Sequence, residues 1–193
     1  MEQALTASQR ETRAKILDTA VELFYERGVH AVGVNEIAAR AHASKLSLYR
    51  YFPSKANLVE QMLAEHSDRI HGWLRRRAGQ GSPPDRVEAL FDALIEWFAQ
   101  PGYRGCAVVN TVTDTRADPA VAAVARRHLA RYRGLLTESL DTLGPGVDAD
   151  ALARRLLLLI EGASVVATIE PDGAAGRDAK AAARMLVDAA ARN

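Results

Sequence analysis

Apolar residues recur along this chain at spacings of three and four almost from end to end, the period that lays a helix against a core. Ile16, Leu17, Ala20, Val21, Leu23 and Phe24 form one such face. Ser8-Gln9-Arg10-Glu11 has the form of a capping box opening this first helix, and Gly28 is the kind of residue at which it would end. A short helix is predicted from Val34 to Ala41, burying Ile37, Ala38 and Ala41, with His42-Ala43 as the turn that follows. Ser44 reads as the cap of a second short helix running to Tyr51. Pro53-Ser54-Lys55 stops it and opens a long helix, to about Arg77, whose apolar stripe is Leu58, Met62, His66, Ile70 and Trp73.

Gly79-Gln80-Gly81-Ser82-Pro83-Pro84 is the clearest break in the pattern. Beyond it, helices are predicted over about 85–99, 106–115, 118–143, 148–170 and 177–191, punctuated at Pro101-Gly102, Gly144-Pro145-Gly146 and Pro171-Asp172-Gly173. Strand signals are nearly absent, and there is no internal repeat. The expectation is an all-α fold of about nine helices, with a three-helix head over residues 8–53 and a larger helical domain over 54–193. The helix over 54–77 would link the two.

Composition narrows the function classes. The 193 residues suffice for one large domain or two small ones, and 48% hydrophobic residues suffice for a core. The formal net charge of +1 gives no bulk preference for nucleic acid, so any such case rests on local placement of charge. The opening segment is polar, without the apolar core of a signal peptide, and the longest apolar run, Leu156–Ile160, ends at Glu161, far short of a membrane span. A cytoplasmic protein with no membrane association is expected. The single cysteine, Cys106, has no partner for an internal disulfide or a paired-cysteine metal site; it reads as a small buried hydrophobe or as a sensor thiol. Nothing points to an enzyme, cofactor or metal. There is no nucleophile elbow and no phosphate-cradling glycine loop, and His66 and His71 stand about 140° apart around a helix.

Two short helices about a tight turn, framed by longer ones, are what a helix-turn-helix requires. The second must leave its outer face free for the major groove. Leu48 and Phe52, one turn apart, are its inward residues, which leaves Ser44, Lys45, Ser47, Tyr49, Arg50 and Tyr51 for the other faces. From Glu36 to Leu58 the only acid is Glu36, against Arg40, Lys45, Arg50 and Lys55. Such an excess, interleaved with hydroxyls, suits either phosphate contact or a solvated face.

The run from Val34 to Leu58 decides between them. With its Ser44-Lys45, Leu48-Tyr49, Phe52 and Pro53-Ser54-Lys55 in order and spacing, it resembles the DNA-binding domain of the TetR family of regulators. The resemblance is close over about Thr12–Met62. It implies a regulator, usually a repressor, that binds palindromic double-stranded operator DNA as a homodimer and carries a separate domain for a small-molecule effector. By position, Lys45, Leu46 and Ser47 would face base edges, and Ser44, Tyr49, Tyr51 and Lys55 would hold phosphates, with Arg50 toward the flank. Three departures stand out. His42-Ala43 replaces the usual Gly-Val, implying a less common turn; Ser47 replaces a threonine; and Gly33 stands where a hydroxyl residue often caps the second helix. Leu46, larger than usual, could pack on a thymine methyl.

The stretch Tyr103–Asn110 with Arg154–Ala163 resembles, more loosely, the C-terminal domain of a large TetR subgroup. It implies that the last two helices form a four-helix bundle across a dimer axis; the alternative is that both belong only to the monomer's core. Candidates for an effector pocket are Phe91, Leu94, Trp97, Phe98, Cys106, Asn110, Thr113, His128, Tyr132 and Glu161. Glu161, set in an apolar run, is expected to pair with an arginine or to meet a polar or cationic effector, the arginine being favoured.

Overall fold

The computed structural model describes residues 6–79, 81–115, 118–144 and 146–192. Gln80 of the predicted break, Pro145 of the predicted turn and the opening residues 1–5 lie outside the described residues. Among the described residues the secondary structure is nine α-helices and no strand: α1 Ala7–Arg27, α2 Val34–Arg40, α3 Lys45–Tyr51, α4 Lys55–Arg77, α5 Pro83–Phe98, α6 Ala107–Thr115, α7 Pro119–Ser139, α8 Ala149–Ile169 and α9 Ala174–Ala191. They fall into two compact units. The first comprises Met1–Ser67 with Ala107–Ala125, the second Asp68–Cys106 with Arg126–Asn193.

In the first unit, Ile16, Leu23, Ile37, Leu48, Phe52 and Leu58 are all fully buried and knit α1, α2, α3 and the start of α4 together. The helix ends follow from side-chain chemistry. The box that opens α1 is Thr6 with Gln9, whose hydroxyl and amide oxygens accept each other's backbone N–H groups; Ser8, the expected cap, lies inside the helix. Ser44 and Ser54 cap α3 and α4 by accepting the N–H groups of Ser47 (3.0 Å) and Asn57 (3.1 Å). Gly33 caps α2 with backbone alone. Gly28 ends α1 at φ 81°, and a Cβ there would meet the Asp114 carboxylate at 3.3 Å. That space lets α6 hold the loop after α1, since Asp114 Oδ2 accepts the Val29 N–H at 2.9 Å.

The turn after α2 is closed by two backbone hydrogen bonds. Ala43 donates to the Ala38 carbonyl and His42 to that of Ala39, the hydrogen-bond pattern of a Schellman motif. The left-handed position is taken by His42, at φ 52°, where glycine pays no steric cost. The less common turn expected from His42-Ala43 takes this form: a non-glycine residue stands in the left-handed position, and the strain sits in that one residue.

The second unit packs α8 and α9 on α5, around Phe91, Leu94, Leu136, Leu140, Leu156, Ile160 and Val187. Gly176 permits the approach of α9, because a Cβ there would lie 2.7 Å from Ile95 Cγ1. Two boundaries differ from the sequence expectation. Ser82, boxed with Asp85, starts α5 at Pro83, and α9 begins at Ala174, directly after Gly173. Along α4 the buried line in this unit runs through His71 and Leu74 to Ala78 just past the helix end, while Ile70 and Trp73 of the expected stripe are only half-buried.

Two stability outcomes follow. His42→Gly removes the left-handed strain of about 1–2 kcal/mol, partly offset by the greater freedom of an unfolded glycine; denaturant unfolding should show a gain of about 0.5–1 kcal/mol, and His42→Val a loss. Asp114→Ala deprives the Val29 N–H of its acceptor and should lower the unfolding free energy by about 1–2 kcal/mol.

Candidate nucleic-acid interface

The outer surface of α3 is prepared by what its inner surface does. Leu48 and Phe52 are both wholly buried, so the residues between and beside them turn outward. Ser44, Lys45, Leu46, Tyr49 and Arg50 are exposed; Ser47, Tyr51 and Lys55 are half-buried. Leu46 is 73% exposed, an apolar side chain held in water two positions from the wholly buried Leu48. All eight residues expected at a DNA surface thus lie on α3 or at its flanks and retain access to solvent.

The charges are arranged to the same effect. Arg27 donates to Glu36 at 2.5 Å and so engages the only acid between residues 36 and 58. Among the described residues none of Arg40, Lys45, Arg50 and Lys55 takes part in an ion pair. Lys45 Nζ lies 5.9 Å from the Tyr49 ring centroid and Lys55 Nζ 5.8 Å from that of Phe24, contacts that orient an ammonium group without neutralising it. Lys55 also opens α4, where backbone N–H groups already favour an anion. Arg27 was not singled out in the sequence, because its partner stands nine residues on, across a loop.

The ten residues expected at an effector pocket are divided between the two units. Asn110 and Thr113 are exposed on α6, in the first unit. Phe91, Leu94, Phe98 and Tyr132 belong to the core of the second unit, and the space between Leu90, Leu94, Tyr132 and Ile160 is too small for a water molecule. Trp97 is half-buried, edge-on to Tyr103 at 5.5 Å. Cys106 and His128 do meet: Sγ is 3.4 Å from His128 Nε2, while His128 Nδ1 is 3.2 Å from His71 Nε2. Both imidazole rings pack against Tyr132. His71 is the residue that the sequence reading missed; it follows Leu63 and Ser67 at four-residue spacing, a line hidden by polar side chains.

Burial governs the protonation of this cluster. Desolvation, followed by the charge of Arg131, pushes His71 down to about 4. Burial, with Cys106, Glu161 and Tyr103 nearby, raises the Tyr132 phenol well above its usual range, and burial raises Glu161. The arginine partner favoured for Glu161 is not found: among the described residues Glu161 has no ion pair, and Arg154 and Arg155 of the same helix are exposed.

Two family models match the chain. One, described as bacterial regulatory proteins of the tetR family, covers residues 16–62; the other, described as the C-terminal part of BetI-type transcriptional repressors, covers residues 107–192. Among curated proteins, the transcriptional activator FasR of Mycolicibacterium smegmatis is 40% identical over 119 residues, 58% of this chain and 51% of FasR. The transcriptional repressor NemR of Escherichia coli is 31% identical over 106 residues, 53% of each chain. The chain thus spans about half the length of these curated relatives. Solved structures extend the likeness along nearly the whole chain. A TetR-family regulator from Streptomyces coelicolor superposes with a TM-score of 0.82 at 26% identity, over 94% of this chain and 97% of that one. The reduced form of E. coli NemR gives 0.81 at 25%, over 89% and 94%. No helix among the described residues is long and apolar enough to cross a membrane. With an exposed, cationic second helix in its helix-turn-helix and matching models over both its ends, the chain belongs to the TetR family of transcription regulators.

Proposed function

We propose that this protein is a ligand-responsive repressor that reads a palindromic operator as a homodimer and is released by a small-molecule effector. Residues 8–53 form the reading head, and 54–193 serve effector binding and dimerisation. The observation that carries the reading is the outer face of α3: Leu46 is 73% exposed beside Lys45, and Lys45, Arg50 and Lys55 have no ion-pair partner among the described residues. A solvated structural face has no use for an exposed leucine at its centre, whereas a thymine methyl offers one. Lys45, Leu46 and Ser47 meet base edges, while Ser44, Tyr49, Tyr51 and Lys55 hold the phosphates and Arg50 the flank. The hydroxyls and cations fix register, and the base-facing residues select sequence.

Dimerisation is supported by α8. Leu158, Val165, Val166 and Ile169 fall at helical spacing on one side and are 73%, 54%, 42% and 73% exposed, with Met185 of α9 at 72%. Exposed apolar surface concentrated on two adjacent helices is the mark of a self-complementary contact. The effector belongs to the second unit, where Cys106, His71, His128, Tyr132 and Glu161 place polar groups inside an apolar shell. Relatives carry both activator and repressor names, and the sign of regulation is read as repression from the BetI-type match of the C-terminal part.

Selection of bound sites from a random duplex library should return a palindrome with half-sites roughly 34–36 Å apart, or a multiple of that; a folded protein that enriches no sequence would overturn the assignment. Lys45→Glu and Lys55→Glu should each weaken operator binding by about tenfold or more and reduce its salt dependence. Ile169→Glu combined with Leu158→Glu should convert the dimer to a helical monomer in sedimentation, leaving circular dichroism unchanged.

A further inference from the structure

Beside α3 the first unit has a second feature that DNA reading does not use. A cavity of about 180 Å³ opens among α1, α4 and α6. Its walls are Val21, Phe24, Tyr25 and Met62, and its mouth carries Asn110 and Asp114, one turn apart on α6. A cavity of about 150 Å³ suffices for a benzene ring, so this one admits a single-ring molecule with a short substituent. Phe24 and Met62 are almost fully buried, whereas Asn110 and Asp114 are exposed, which gives the space an apolar interior and a polar entrance.

Among the described residues Asp114 is the only carboxylate on the lining, and it has no ion pair. One of its oxygens accepts the Val29 N–H at 2.9 Å, which fixes the carboxylate at the rim without neutralising it. Gly28 keeps that rim open, since a Cβ there would crowd the same oxygen at 3.3 Å. The permanent cation Lys55 stands with its Nζ 5.8 Å from the Phe24 ring centroid, and the His30 ring meets the Asp114 backbone carbonyl at 3.1 Å rather than its carboxylate, so a positive group on a ligand is directed to that carboxylate. An apolar cavity with aromatic walls and one anchored carboxylate at its mouth is the chemistry that takes an ammonium group on an apolar body.

We propose that this cavity is a binding site for a small organic cation, a protonated amine whose ring or chain fills the space beside Phe24 and Met62 and whose ammonium meets Asp114. The site lies in the unit that contains the helix-turn-helix and shares no residue with the Cys106, His71, His128, Tyr132 and Glu161 group assigned to the effector, so it stands or falls independently of that reading. Its occupant touches the Gly28-Val29 segment that leads from α1 toward α2.

The test titrates the full chain with benzylamine and, as a neutral isostere, benzyl alcohol, following the methyl resonances of Val21 and Met62 and the Val29 amide. Benzylamine should perturb all three saturably and bind about tenfold or more tightly than benzyl alcohol. Asp114→Asn keeps an oxygen for the Val29 N–H and should bring benzylamine down to the level of the alcohol. Asn110→Lys, at an exposed position, sets a competing cation at the mouth and should abolish benzylamine binding while leaving the alcohol unaffected. Equal binding of amine and alcohol by the wild-type chain overturns the proposal. So does silence of the Val21 and Met62 methyls, or undiminished amine binding by Asn110→Lys. Operator binding, measured separately, reports on the head and not on this cavity.

Discussion

A helix of seven residues is not stable in water by itself, because nucleation fixes several dihedrals for each hydrogen bond gained. The reading helix α3 therefore exists through its attachments. Leu48 and Phe52, both wholly buried, anchor it to α1 and α2, and the Ser44 hydroxyl satisfies an amide that its first turn leaves unpaired. Every other property of the head follows from that constraint. With two positions committed inward, the remaining side chains are turned outward together, and their chemistry is free to be set by what they meet. Removing either anchor would lose the orientation of the surface before it lost any residue on it.

Much of this was legible in the sequence because it is encoded locally. Capping serines, the glycine after α1 and the i, i+4 pair Leu48–Phe52 act within a turn or two of themselves, so their spacing carries their meaning. The misplacements are instructive in the same terms. Thr6 and Ser8 are both competent caps, and only the partner at the third helical position, Gln9 rather than Glu11, selects between them. The start of α9 is Ala-rich and offers no contrast between helix and turn.

What was not legible depends on contacts between residues far apart in the chain. Arg27 and Glu36 are joined across a loop, and His71 and His128 are separated by 57 residues. The effector candidates illustrate the limit: apolar residues at helical spacing mark a core as readily as a pocket, and Leu94 borders a space too small for a water molecule. The polar groups that do converge, Cys106 and the two histidines, were visible as residue types but not as neighbours. Glu161 shows the converse: of the two partners its apolar setting suggested, no arginine pairs with it among the described residues.

One small detail at the start of α3 has a directional consequence. The Ser44 oxygen accepts the Ser47 amide, and its own hydroxyl hydrogen is spent on the Ser47 oxygen at 2.9 Å. While that bond stands the polarity of the pair runs one way, and a phosphate that takes Ser44 must first draw its hydrogen away from Ser47. The hydrogen left over belongs to Ser47, so any molecule approaching that side chain is offered a proton to accept, and a site lined with acceptor atoms is favoured over one lined with donors.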